Sequence, residues 1–302
     1  MAPERVEVGF PSAGDRCSAW HYPAGGQARA SAPCVVMAHG FSLTRHDGLA
    51  AYAQRLAAAG TAVLAFDYRY LGDSGGWPRQ RFRKSEQLAD WRAAIAFARG
   101  LDGVDPARVV AWGFSFSGGL AIEVAADDGA VAATIALCPL LSGPARVRST
   151  PPRLAAWITP RALADELGRH NVIPVTAPPG GHAAMTLPGE SEGFAAVVPA
   201  GSPWRNEISP GVFATVAFHR PVRRAGAVRA PVWLGLGERD VTVSRAAIER
   251  FAARAAEAEL HAYPYDHFGV LVGEGPARVA GDQVDFLRRT GLLAGARGAP
   301  AP

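Results

Sequence analysis

Short, almost purely apolar runs alternate along most of the chain with longer stretches in which apolar side chains return every three or four positions. The runs CVVMAHG (34–40), TAVLAFDY (61–68), RVVAWG (108–113) and AVAATIALC (130–138) are too short for independent helices and nearly free of polar residues. Strands buried on both faces of a parallel sheet read this way. Between them, LAAYAQRLAAAG (49–60), SEQLADWRAAIAFARG (85–100) and GGLAIEVAADDG (118–129) carry a helical period. The same rhythm returns in APVWLGLGERD (230–240), a helix over 245–258, the strand and loop ELHAYPYDHFG (259–269), and a last helix over 276–293. RVEVGF and RCSAWHY near the start alternate like antiparallel strands. Gly60 and Gly100 fall where helix C-caps belong, and Ser85 is placed to cap the helix that follows it. The fold class is α/β, with a mostly parallel, doubly wound sheet.

The rhythm stops between residues 140 and 229. Proline and glycine crowd this segment (STPPR, VTAPPGG, VPAGSPW, ISPG), and helical pattern is confined to short pieces such as RALADELGRH. It nevertheless carries Trp157, Phe194, Trp204, Phe213 and Phe218, which a disordered linker has no use for. The pattern predicts a core formed by 1–139 and 230–302, interrupted by an inserted lid over 140–229. The tail AGARGAPAP (294–302) is expected to fray.

Composition narrows the picture. With 302 residues, 49% hydrophobic and 19% charged, the chain reads as an ordinary packed domain. The net charge of +4 is carried by scattered arginines, and Lys84 is the only lysine. The one basic cluster, RQRFRK (79–84), lacks the interleaved aromatics of a nucleic-acid surface and reads as a solvated loop before a helix. Cys17, Cys34 and Cys138 stand singly, with no metal-ligand spacing, so neither a metal nor another cofactor is expected. Isolated apolar cysteines suit a reducing compartment. The first ten residues show no apolar signal region, and the longest apolar run, 130–141, cannot span a bilayer. These features together predict a cytoplasmic protein without nucleic-acid or membrane partners, and are compatible with a homodimer.

The chemistry gathers at AWGFSFSGGLA (111–121), where a strand meets a helix at a serine-bearing turn. A nucleophile exposed on so sharp a turn needs small residues two positions before and after it. Two frames satisfy this: Gly113-x-Ser115-x-Ser117 and Ser115-x-Ser117-x-Gly119. The first starts directly at the strand end and leaves Gly118 and Gly119 to open the helix, which favours Ser115. Downstream, in the order acid then histidine, Asp240 follows one predicted strand and His267 the next. Both then fall at the carboxyl edge of the sheet, where the serine also lies. Glu238 is the rival acid and His261 the rival base, the latter inside its strand. An oxyanion formed at Ser115 would be held by the backbone N–H of Phe116 and by that of Phe41 in HGFSLTR. His39 reads as a prop for that loop, and Ser42 as either a site hydroxyl or a helix cap. Trp157 and Trp204 of the insertion are the expected substrate contacts, and Asp67 and Asp73 in FDYRYLGDSGG read as structural.

With HGF at 39–41, FDYRYLGDSGG at 66–76, GFSFSGG at 113–119, GERD at 237–240 and DHF at 266–268, the sequence resembles the α/β-hydrolase superfamily over almost its full length. More narrowly it is similar to the dienelactone-hydrolase-like or polyketide-transferase-like branch, whose elbow commonly reads WGxSFSGG. The resemblance implies Ser115 as nucleophile, with Asp240 and His267 completing a triad, and Ser117 replaces the usual second glycine. Dienelactone hydrolases proper use cysteine, so the serine here departs from that activity. The expected function is cleavage of an ester or thioester of an apolar, polyketide-like acyl substrate, free or delivered on a carrier protein. The alternatives are acyl transfer to an alcohol or amine in secondary metabolism, and a non-hydrolytic cyclase or binding protein on the same fold.

Overall fold

The computed structural model describes residues 4–25 and 31–294; the expected frayed tail falls almost wholly outside them. Eight strands form one sheet: β1 (Val6–Ser12), β2 (Asp15–Tyr22), β3 (Ala32–Ala38), β4 (Ala62–Phe66), β5 (Val104–Phe114), β6 (Ala133–Leu137), β7 (Val232–Gly237) and β8 (Ala258–Tyr263). Their spatial order is β1-β2-β4-β3-β5-β6-β7-β8. The pairs β1–β2 and β2–β4 are antiparallel and every later pair is parallel. Strands β3, β4, β6 and β7 are buried along their whole length, which is why their sequences run apolar without alternation.

Helices α1 (Leu49–Ala58), α2 (Lys84–Arg99) and α3 (Phe116–Asp127) connect the first parallel strands. The first ten residues of α3 are buried, so it lies in the core with no solvent face of its own there. Ser85 is not the cap of α2: the helix begins one residue earlier, behind an extended Arg83 with no side-chain cap. The preceding RQRFRK stretch also departs from a solvated loop. Arg79 donates to the carbonyls of Gly72 and Ser74, Arg81 pairs with Glu86, and Lys84 Nζ lies 2.7 Å from Glu123 Oε1. Phe82 at its centre is buried. Four cations in six residues are accommodated because carboxylates and carbonyls from several elements converge on them.

The connection from β6 to β7 contains 140–229, which contributes no strand to the sheet. It holds α4 (Gly143–Ser149), α5 (Pro152–Glu166), α6 (Glu190–Val197), α7 (Val212–Thr215) and two 3-10 stretches, 216–218 and 221–227. Helix α5 starts well before the RALADELGRH pattern, with Pro152 in its first turn, where no backbone donor is needed. Departure and return of the segment are stitched together: Gly143 N donates to His219 O at 2.8 Å and Val222 N to Leu141 O at 3.1 Å. The chain closes with α8 (Arg245–Ala252), which is shorter than its sequence pattern, and α9 (Gly275–Arg289). Among the described residues no helix is long and apolar enough to cross a membrane.

Candidate active site

Strand β5 ends at Phe114 and α3 begins at Phe116, leaving Ser115 alone at the turn with φ 57 and ψ −117. An L-residue holds this conformation only where its surroundings fix it. Ser115 N donates to Leu137 O at 2.9 Å, and Ser115 O accepts from Leu140 N at 2.8 Å, so β6 and the start of the insertion pin the turn from one side. The small neighbours are sterically required. A Cβ at Gly113 would come within 2.2 Å of Ser117 O, and one at Gly119 within 2.5 Å of Leu140 O.

The two serines of the elbow have different partners. Ser115 Oγ lies 2.9 Å from His267 Nε2, and His267 Nδ1 lies 2.6 Å from Asp240 Oδ2. Asp240 follows β7 and His267 follows β8, so the ends of β5, β7 and β8, with β6 between the first two, present a hydroxyl, a carboxylate and an imidazole along one edge of the sheet. Ser117 Oγ instead donates to His39 O and accepts from the Tyr68 hydroxyl, which accepts from Trp91 Nε1 at 2.8 Å. Its proton is committed to a carbonyl, whereas that of Ser115 faces an imidazole nitrogen. Glu238 and His261, the rival acid and base, take no part in this line: His261 Nε2 contacts Glu259 at 3.2 Å and its ring stacks on Trp233.

Asp240 is buried, which by itself would raise its pKa. The charge and hydrogen bond of His267 outweigh that, helped by the Thr242 and Val243 N–H groups at 2.8 and 3.1 Å from Oδ1, and the carboxyl is held below its ordinary value. The acid is therefore ionised and oriented by three donors at once. Cys138 Sγ lies within 4.8 Å of these Asp240 and His267 ligand atoms, the distance at which a metal set can be considered. Burial and then the nearby Asp240 charge push its thiol well above the ordinary value, and the carboxylate and imidazole are bonded directly to each other. That donor set does not suit an ion.

Phe41 and Phe116 both border the cleft above Ser115, and among the described residues neither backbone N–H has a protein acceptor. Gly40 brings the first loop against the elbow, since a Cβ there would lie 3.2 Å from Ser115 Cβ. The loop is braced from below: Arg45 N and Nη1 both bond the fully buried Asp67, and His39 Nδ1 lies 2.9 Å from Gly40 O. Burial lowers His39 to about 4, so it is neutral in its role as a prop. Phe82, from the RQRFRK stretch, packs edge-on against both Phe41 and Phe116 at 4.8 and 5.3 Å between ring centres.

The wall of the cleft is mainly apolar: Leu140, Met185, Val212, Phe213, Val216 and Val243 join the two phenylalanines. Of the expected substrate contacts, none of Ser42, Trp157 and Trp204 lines it. Ser42 is buried at φ 62 and caps no helix, since α1 is preceded by Gly48. Trp157 packs on His182 and under Arg161, and Trp204 packs on Phe194. Aromatic content placed these side chains in the insertion without saying which face they take. Arg146, the one ionic side chain of the wall, carries no signal in the sequence, because nothing in GPARVRS separates it from Arg148.

A mostly parallel sheet that presents a strained serine between strand and helix, with an acid after β7 and a histidine after β8, defines an alpha/beta hydrolase. The chain belongs to the alpha/beta hydrolase family, which it matches over residues 35–282. It is 37% identical to the quorum-quenching protein AidA of Acinetobacter baumannii over 289 residues, covering 94% of each chain. With the thiohydrolase aneE of Aspergillus aculeatus it shares 28% identity over 86% of each chain. Among solved structures, the alpha/beta hydrolase GrgF from Penicillium sp. sh18 superposes with a TM-score of 0.81 at 23% identity, covering 95% of this chain and 99% of that one.

Proposed function

We propose that the protein is a serine hydrolase that cleaves an ester or thioester of an apolar acyl chain through an acyl-enzyme. The observation that carries this reading is His267, bonded through one ring nitrogen to Asp240 and through the other to Ser115 Oγ. Ser115 Oγ attacks the acyl carbonyl while His267 Nε2 takes its proton, and Asp240 keeps the Nδ1 proton in place and balances the imidazolium. The N–H groups of Phe41 and Phe116 receive the oxyanion. His267 then protonates the departing alkoxide or thiolate, and a water deprotonated by the same nitrogen releases the acid. The apolar cleft supports an acyl rather than a peptide substrate, and a thiohydrolase among the relatives agrees with thioester chemistry.

Turnover of short and medium acyl N-acetylcysteamine thioesters and p-nitrophenyl esters tests the proposal, together with labelling by a fluorophosphonate. Wild type should hydrolyse and label, and Ser115→Ala should do neither while folding normally. Labelling at another residue, or undiminished turnover in Ser115→Ala, refutes it. Ser115 is only 7% exposed beneath the insertion, which favours acyl transfer as a second reading. Recovery of an acylated alcohol or amine in place of free acid would identify it. The same two assays address the cyclase or binding alternative, which predicts a well-folded protein that neither labels nor turns over.

A further inference from the structure

The wall of the acyl cleft contains one ionic side chain, Arg146 on α4, in a site otherwise built of hydrocarbon apart from Ser115 and Thr242. Its guanidinium faces Glu190 of α6, with Nη1 3.0 Å from Oε1 and Nη2 3.3 Å from Oε2. Glu190 is fully engaged, because Oε2 also accepts from Leu187 N at 2.8 Å and Oε1 from Thr242 Oγ1 at 3.1 Å. Arg146 is not. Of its five N–H bonds, the carboxylate receives two at most, and Nη1 sits off the line of a hydrogen bond and is a buried donor without an aligned acceptor. Among the described residues no other protein acceptor serves it. Arg146 borders the cleft, and a donor there without an aligned acceptor is satisfied by a ligand or left at a cost.

The charge count selects the kind of acceptor. Arg146 and Glu190 cancel, so a substrate carboxylate would enter an apolar cleft with no cation left to balance it. A neutral oxygen needs only the spare N–H groups. Resting on the acyl-hydrolase reading above, we propose that Arg146 is a specificity residue that hydrogen-bonds a ketone or hydroxyl oxygen carried on the acyl chain. The preferred substrates are therefore oxygenated acyl groups rather than plain alkyl ones. The guanidinium makes no contact with the reacting carbonyl in this scheme; it discriminates between acyl chains through one hydrogen bond.

The test compares N-acetylcysteamine thioesters of one chain length that carry no oxygen, or a keto or hydroxyl group at successive positions, with an ω-carboxylate chain as the charged control. In wild type, one oxygenated position should raise kcat/KM about 10- to 100-fold over the plain chain, the range expected when a buried donor gains or lacks its partner. In Arg146→Met/Glu190→Gln, which removes both charges together, that ratio should collapse toward unity, and Arg146→Lys should restore part of it. Thermal melting establishes that each variant is folded. A wild-type ratio near unity at every position, a ratio that survives in the double variant, or a preference for the carboxylate chain overturns the assignment while leaving the hydrolase reading intact. Failure of wild type to cleave any thioester or ester overturns both.

Discussion

Replacing either serine of the elbow by alanine should produce opposite phenotypes. In Ser117→Ala, His39 O loses the hydroxyl that donates to it and the Tyr68 O–H loses its acceptor; both residues are buried. Each orphaned buried group costs about 1–3 kcal/mol, so the pair should cost about 2–4 kcal/mol once the removed hydroxyl's own burial is discounted. For a domain of this size that is a fall in Tm on the order of 3–6 °C. Ser115→Ala removes a single side-chain bond, to His267 Nε2, and leaves the backbone as strained as before. Its stability should change by no more than about 0.5 kcal/mol. Thermal unfolding followed by circular dichroism, alongside thioester turnover, reads both properties on the same samples. Ser115→Ala should melt with wild type and lose about 10⁴- to 10⁶-fold in kcat. Ser117→Ala should melt early and, at a temperature where it is folded, keep measurable turnover. If Ser117→Ala melts with wild type and is as inactive as Ser115→Ala, the assignment of roles within the elbow is wrong.

Asp240→Asn should retain the fold but lose on the order of 10⁴-fold in kcat, because an amide no longer fixes the proton on His267 Nδ1; steady-state kinetics against wild type checks this. Gly113→Ala should fail to accumulate as soluble folded protein, since its Cβ would meet Ser117 O at 2.2 Å, whereas Gly281→Ala in α9, where nothing lies within 4 Å, should gain about 0.5–1 kcal/mol in urea denaturation. His39 contributes a pH dependence of stability. Burial lowers it from 6.5 to about 4, so between those values the unfolded chain holds a proton that the folded one does not. Its contribution is fully present above pH 6.5, shrinks as the pH falls, and levels off below about 4. That gap is worth on the order of 3 kcal/mol. The stability difference between wild type and His39→Gln should therefore shift against wild type from pH 7 to pH 4, and a constant difference would show that His39 is not buried neutral.

The parts of the molecule legible in the sequence are those in which one local pattern has one physical cause. Strands buried on both faces must be apolar throughout, so β3, β4, β6 and β7 announced themselves. The geometry of the elbow excludes side chains at fixed offsets, which pointed to Ser115. Asp240 and His267 could be found because strand ends in a parallel sheet fall on one edge whatever lies between them. What was not legible depends on distant partners. The bond from Tyr68 to Ser117 joins positions 49 apart, and no pattern within FDYRY encodes it. RQRFRK reads as a solvated stretch until Glu86, Glu123 and Glu166 arrive from three helices to receive its cations. Which aromatic of a proline-rich insertion faces the cleft is likewise a property of packing: Phe213 does, and Trp157 and Trp204 do not.

The stitching at the base of the insertion bears on how such enzymes can be recombined. Leu140 donates through its N–H to the carbonyl of Ser115 and accepts through its own carbonyl from His219 Nε2, 79 residues later in the chain. The stem of the insertion thus belongs mechanically to the elbow, and only its outer part is free to vary. A chimera that imports another enzyme's insertion should be joined after Gly143 and before His219, keeping both native stems. A graft cut at the ends of β6 and β7 would exchange the mould that shapes the Ser115 turn along with the pocket, and is expected to lose activity for a reason unrelated to the substrate.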